Sequence, residues 1–81
     1  MSRSAAEACW GGLIAQYSWD YQTALNVMWC ESHGDPQARN SRSTATGLFQ
    51  ILGGPTDPAA NVRLAHAMYR QRGWQPWVCK G

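Results

Sequence analysis

The chain has 81 residues, with 44% hydrophobic residues and five Trp, three Tyr and one Phe, enough bulk for one small core and too apolar for a disordered chain. Its formal net charge of +2 comes from scattered Lys and Arg, which excludes the clustered basic stripe of a nucleic-acid binder. No apolar run is long enough for a membrane span or a Sec-type signal peptide, and no repeat or linker divides residues 1–81, so one compact unit is expected.

In chain order, residues 4–17 carry Ala5, Ala6, Glu7 and Ala8 and then Leu13, Ile14 and Ala15, a helix-forming composition interrupted by Gly11 and Gly12. Glycine weakens a helix interior, so a bent or broken helix is expected. The second segment is better marked. Asp20 supplies an N-cap, Ala24, Leu25, Val27, Met28 and Trp29 form one wide apolar face, and Gly34 and Pro36 end the run. Glu31 then lies in the last turn, where the negative end of the helix dipole disfavours a second negative charge and favours the protonated carboxyl.

Between Asp35 and Thr56 the helical period disappears and Ser, Thr, Asn, Gly and Pro dominate. Within this loop-rich stretch "GLFQI", residues 47–51, alternates as a short strand or extended rim, with a partner expected near residues 39–41. Alternation points Phe49 inward and Gln50 outward. The next segment, "DPAANVRLAHAMYRQRG", predicts a helix with Asp57 as N-cap, Pro58 at its first position and Gly73 just past its end. Its apolar positions are Val62, Leu64, Ala65, Met68 and Tyr69, and Arg63, His66 and Arg70 fall on the wetter side. The tail "WQPWVCK" returns two Trp and a Cys toward the core, where packing is the expected use of Trp74 and Trp77. The fold class expected is mainly α with a small β or irregular element.

Three cysteines permit one disulfide and leave one thiol. Cys30 ends the second helix and Cys79 ends the chain, so a bond between them ties the tail across the core and leaves Cys9 free. Cys30, His33, His66 and Cys79 also form a possible zinc donor set, but the distal pair lacks a tight ligand spacing, and no metal or other cofactor is expected.

These motifs, "CES" followed by Gly34 and Pro36, then Ala38 and Asn40, "GLFQI" and "DPAANVRLAHAMYRQRGWQPWVC", resemble the catalytic core of the lysozyme-like lytic transglycosylases of SLT type, above all their short actinobacterial and phage-associated forms. The resemblance spans residues 21–79 and implies a minimal lysozyme-like fold. It makes Glu31 the single catalytic acid and assigns substrate contacts to Ser32, Asn40, Gln50 and Tyr69. The implied reaction is cleavage of the β-1,4 bond between N-acetylmuramic acid and N-acetylglucosamine. An acetal oxygen leaves poorly unless a still-protonated carboxyl donates to it. Most glycosidases add a second carboxylate, whereas lytic transglycosylases use the muramic acid's 6-hydroxyl and release an anhydro sugar. Here Asp57 is already a cap and Asp35 has no motif around it.

Only "LGGPT" separates Ile51 from Asp57, a shorter stretch than relatives commonly carry, and no wall-binding domain follows Gly81 in this sequence. The implied partner is the peptidoglycan glycan strand, acted on by a monomer, with no nucleic acid and no membrane span. The implied place is extracellular, the cell wall, or a phage particle or lysate, as for an endolysin. Alternatives from other classes are plain muramidase hydrolysis, a non-catalytic peptidoglycan-binding module, and a virion-associated structural protein of common ancestry.

Overall fold

The computed structural model describes residues 1–79; Lys80 and Gly81, the end of the expected unit and of its tail, lie outside the described residues. Three helices and one two-stranded sheet follow in the order α1 (Arg3–Ala15), α2 (Tyr21–Ser32), β1 (Ala45–Thr46), β2 (Ile51–Leu52) and α3 (Pro58–Arg72). The protein is thus mainly α with a small β element. No helix among the described residues is long and apolar enough to cross a membrane.

All three helices begin at a side-chain cap. Ser2 Oγ accepts from the Ala5 N–H, Asp20 Oδ2 from the Thr23 N–H and Asp57 Oδ2 from the Ala60 N–H, each satisfying an amide that has no partner within the helix. Asp20 also accepts from the Thr23 hydroxyl, and the two bonds together hold its carboxyl below the usual range. Pro58 occupies the start of α3 and Gly73 its C-cap, as the sequence predicts.

The break expected in the first segment is absent: α1 runs continuously through Gly11 and Gly12. Gly11 is there for proximity. A Cβ on it would stand 2.6 Å from Tyr21 Oη, which donates a 2.7 Å hydrogen bond to Glu7 Oε2. The missing side chain therefore lets the start of α2 lie against α1. Gly12 is exposed and meets nothing.

The core gathers Ala6 and Ile14 of α1, Ala24, Leu25, Val27 and Met28 of α2, Val62 and Ala65 of α3, and Leu48, Phe49, Ile51 and Trp77. α1 packs on both other helices. Residues 47–50 form a turn rather than the expected strand, and Leu48 and Phe49 are both fully buried because a turn, unlike a strand, can send consecutive side chains to one side. The strands flank it: Ala45 pairs with Leu52 and Thr46 with Ile51 in antiparallel register, and Arg39 forms a single bridge to Thr46 rather than to "GLFQI".

Two buried side chains fasten this turn. Asn61 Oδ1 accepts from the Phe49 N–H at 2.9 Å, and its amide donates to the carbonyls of Thr46 and Pro55. Trp77 Nε1 donates to the Phe49 carbonyl at 2.8 Å. His66, expected on the wet side, is half-buried instead, stacked on Tyr17 with centroids 4.8 Å apart and edge-on to Trp19. Leu64, expected inside, is 39% exposed.

Candidate functional site

Glu31 lies one residue before the end of α2, and the chain turns sharply after it. His33 is the left-handed C-cap with φ 54°, and its N–H bonds the Trp29 carbonyl. Gly34 follows with φ 80°, and a Cβ there would stand 2.6 Å from the Ala6 Cβ, so only glycine fits both the backbone and the approach of α1. Trp10 Nε1 donates to the Gly34 carbonyl at 2.7 Å. The turn beyond Glu31 is therefore clamped to the first helix.

The tail reaches Glu31 from the other side. Cys30 and Cys79 are joined by a disulfide, their Cα atoms 5.7 Å apart, while Cys9 is free and exposed. This bond holds the Cys79 backbone beside the Glu31 carboxyl. Burial raises the half-buried Glu31 carboxyl above its ordinary range, and the hydrogen bond from Cys79 opposes that rise. Burial is the larger cause and acts in the same sense expected of the helix end. Among the described residues no second carboxylate contributes to the shift.

The other expected contact residues have different surroundings. Ser32 is only 6% exposed, and its hydroxyl donates to the Met28 carbonyl and accepts from the Gly34 N–H, so it braces the helix end. Gln50 is half-buried with φ 47°, and its Nε2 donates to the carbonyls of Ala38 and Gly47, each at 2.9 Å. Both amide hydrogens are thus spent within the loop, and Oε1 is the acceptor that remains. Asn40 is exposed, and its Oδ1 accepts from the Arg42 N–H. Tyr69 is half-buried, 4.7 Å from Trp74 and 5.9 Å from Trp19 between ring centroids, inside an aromatic cluster that also holds His66.

Among the grooves on the described surface, two lie near the loop-rich segment. One, of about 350 Å³, is polar and is lined by Arg39, Asn40, Thr44 and Thr46 with Gly53 and Gly54. The other, of about 380 Å³, is more apolar and runs between β2, α3 and the tail, with Gln50 and Trp77 in its lining. Glu31 lines neither. Among the described residues no three of His, Cys, Asp and Glu gather as a metal site, and the bond between Cys30 and Cys79 removes both sulfurs from the zinc set considered above.

Sequence reasoning missed three contributors: Asn61, Trp10 and the Cys79 amide. Asn61 carried no motif of its own, although a polar residue beside Val62 in an apolar stripe is a signal. The Cys79 amide is a backbone group, which only the fold can place.

A family model described as Transglycosylase SLT domain matches residues 8–56. That span includes Glu31, Ser32, Asn40 and Gln50, begins earlier than the resemblance drawn above, and stops short of α3 and Tyr69. Neither the curated proteins nor the solved structures give a match.

Proposed function

Because the chain belongs to the transglycosylase SLT domain family, we propose that it cleaves the β-1,4 bond between N-acetylmuramic acid and N-acetylglucosamine with Glu31 as general acid. Lytic transglycosylase-type action on peptidoglycan is what the family brings, so the place of action is extracellular or at the cell wall. In this reading protonated Glu31 donates to the glycosidic oxygen as the bond to the anomeric carbon breaks. Positive charge develops on the muramic ring, its 6-hydroxyl attacks the anomeric carbon, and the carboxylate of Glu31 takes the hydroxyl proton. The products are a free sugar end and a 1,6-anhydromuramic end, and the acid is restored.

The observation that carries this reading is a lone, half-buried carboxyl at a helix end, kept toward its protonated form by burial, with no second carboxylate acting on it among the described residues. A retaining glycosidase would need a carboxylate about 5 Å away. An attacking hydroxyl on the substrate itself needs none, because an intramolecular nucleophile has a very high effective concentration. The Gln50 Oε1 and the exposed Asn40 amide serve as hydrogen-bonding groups for the glycan, Tyr69 is the more distant contact, and Ser32 acts by holding the turn beside Glu31.

Mass analysis of products from purified peptidoglycan tests the reaction. The expected muramic end is lighter by one water than a hydrolytic one; a reducing muramic end would keep Glu31 as acid and make the protein a muramidase. Glu31→Gln is expected to stay folded and lose activity by roughly 10,000-fold, the upper end for general acid catalysis. A Gln variant as active as the parent would overturn the assignment.

A further inference from the structure

Glu31 is held from two directions far apart in sequence, and only one of them is its own helix. Cys30 precedes it on α2, and the disulfide sets the Cys79 Cα 5.7 Å from the Cys30 Cα, so the backbone at residue 79 passes beside the acid. Trp77 fixes how that backbone arrives. Its ring is buried at 3% exposure, and its Nε1–H donates to the Phe49 carbonyl at 2.8 Å. Phe49 is fastened in turn to α3, because its N–H donates to Asn61 Oδ1. Val78 lies between the two anchors and is 95% exposed, so its side chain adds no packing. The ring on one side and the sulfur on the other therefore place the Cys79 N–H.

What that donor does depends on the state of the carboxyl. A protonated carboxyl has one oxygen that carries the hydrogen and one carbonyl oxygen that accepts well. A fixed N–H settles on the carbonyl oxygen and leaves the hydrogen on the other. An ionised carboxyl accepts the same bond more strongly, because the bond is then charge-assisted. Burial and the Cys79 N–H are the two causes that move the Glu31 carboxyl, and they act in opposite senses. Burial keeps the proton on until the glycosidic oxygen takes it, and the donor favours the anion left behind until the 6-hydroxyl proton returns. We infer that Trp77 and Cys79 are positioning residues of the reaction: the Cys79 N–H, placed by the Trp77 ring and the disulfide, occupies one oxygen of Glu31, confines the transferable proton to the other, and stabilises the carboxylate between donation and return. The inference rests on Glu31 being the general acid. It gives the tail, which lies beyond the family match ending at residue 56, a part in the chemistry.

Two measurements separate failure of the tail's role from failure of the reaction. The first is a pH titration of isotope-labelled protein followed by NMR, and it needs no substrate. The Cys79 amide proton is expected to move downfield as the Glu31 carboxyl ionises, with the same midpoint as the Glu31 side-chain carbon, and to stay still in Glu31→Gln. A Cys79 amide that ignores Glu31, or that titrates equally in Glu31→Gln, would overturn the inference whether or not glycan is cleaved. The second replaces the peptide bond between Val78 and Cys79 with an ester by semisynthesis, which keeps both side chains and the disulfide and removes only the N–H. Its kcat on glycan strands is expected to fall roughly tenfold with KM unchanged, the lower range for a hydrogen bond to a charged group. The alkaline limb of its pH–rate profile should move to higher pH, because the group that favoured the anion is gone. Trp77→Phe, which keeps a ring and the disulfide but loses the bond to Phe49, should lower kcat in the same way and weaken the Cys79 amide titration. An ester analogue with the kcat and alkaline limb of the parent would overturn the positioning role and leave the reaction standing. A parent that cleaves nothing while its Cys79 amide follows Glu31 would overturn the general-acid reading, and the tail's role with it, and keep only the contact. Circular dichroism of the ester analogue and of Trp77→Phe checks that the fold is retained.

Discussion

Ionising Glu31 costs more in the folded protein than in the unfolded chain, because the α2 end and the tail remove part of its hydration. The carboxyl's pKa is raised on folding, so between the unfolded and folded values the native state holds more of the proton. Native stability must then fall as pH rises through that window. It is highest below the unfolded value, where both states are protonated, and the cost is fully present above the folded value. Glu31→Gln removes the charge and keeps an acceptor for the Cys79 N–H. Its expected effect is a small rise in melting temperature at neutral pH, limited to a few degrees because solvent screens a half-buried group, with little change below pH 4. A variant that melts lower than the parent at pH 7 would show that the carboxylate stabilises the fold. In the proposed reaction the same residue trades stability for a proton it can donate.

The helices bring a sharper contrast between two neighbouring glycines. Gly12→Ala places a methyl in open space on α1 and is expected to stabilise by about 0.5 to 1 kcal/mol, since alanine loses less backbone entropy in a helix. Gly11→Ala drives a Cβ against the Tyr21 hydroxyl and should destabilise, although helix propensity alone predicts the same gain for both. Urea unfolding of the two variants decides it; equal stabilisation would mean that Tyr21 moves aside at no cost. The pair also shows where local pattern stops being informative. Caps at Asp20 and Asp57 and the stop at Gly73 were legible because they depend on residues a few positions apart. Gly11 was read as a breaker because its reason, Tyr21, belongs to the next helix. Alternation in "GLFQI" assigned Phe49 to the core correctly. It failed for Leu48 because positive φ at Gly47 and Gln50 makes the stretch a turn, held by Asn61 from twelve residues away. His66 looked polar in sequence, and only the packing of Tyr17 and Trp19 draws it inward. The place of Glu31 at a helix end was legible from the apolar run before it and Gly34 after it. The spent hydroxyl of Ser32 and the spent amide of Gln50 were not, because hydrogen-bond partners are set by tertiary structure.

For the molecule as a whole, the bond between Cys30 and Cys79 spans 49 positions. Closing a loop of that length in the unfolded chain is worth about 4 kcal/mol in the chain-entropy picture, a large share of the 5 to 15 kcal/mol typical of small proteins. The paired variant Cys30→Ser with Cys79→Ser is expected to melt more than about 10 °C below the parent. A drop under about 3 °C would show that burial of Trp77 and its bond to the Phe49 carbonyl hold the tail unaided. An oxidising surrounding suits such a bond and agrees with action at the wall.

The same bond changes what it means to cut this protein. Residues 30 to 79 form a covalent ring, with residues 1–29, which hold α1 and most of α2, attached to it as an open arm. The exposed segment 40–44 is where a protease gains easiest access, yet a nick there opens the ring without releasing anything. The strand that begins at Met1 and carries Glu31 stays joined through sulfur to the strand that carries α3 and the apolar groove. One broken peptide bond there therefore leaves both pieces covalently joined, and separating Glu31 from α3 requires a reductant as well as a protease.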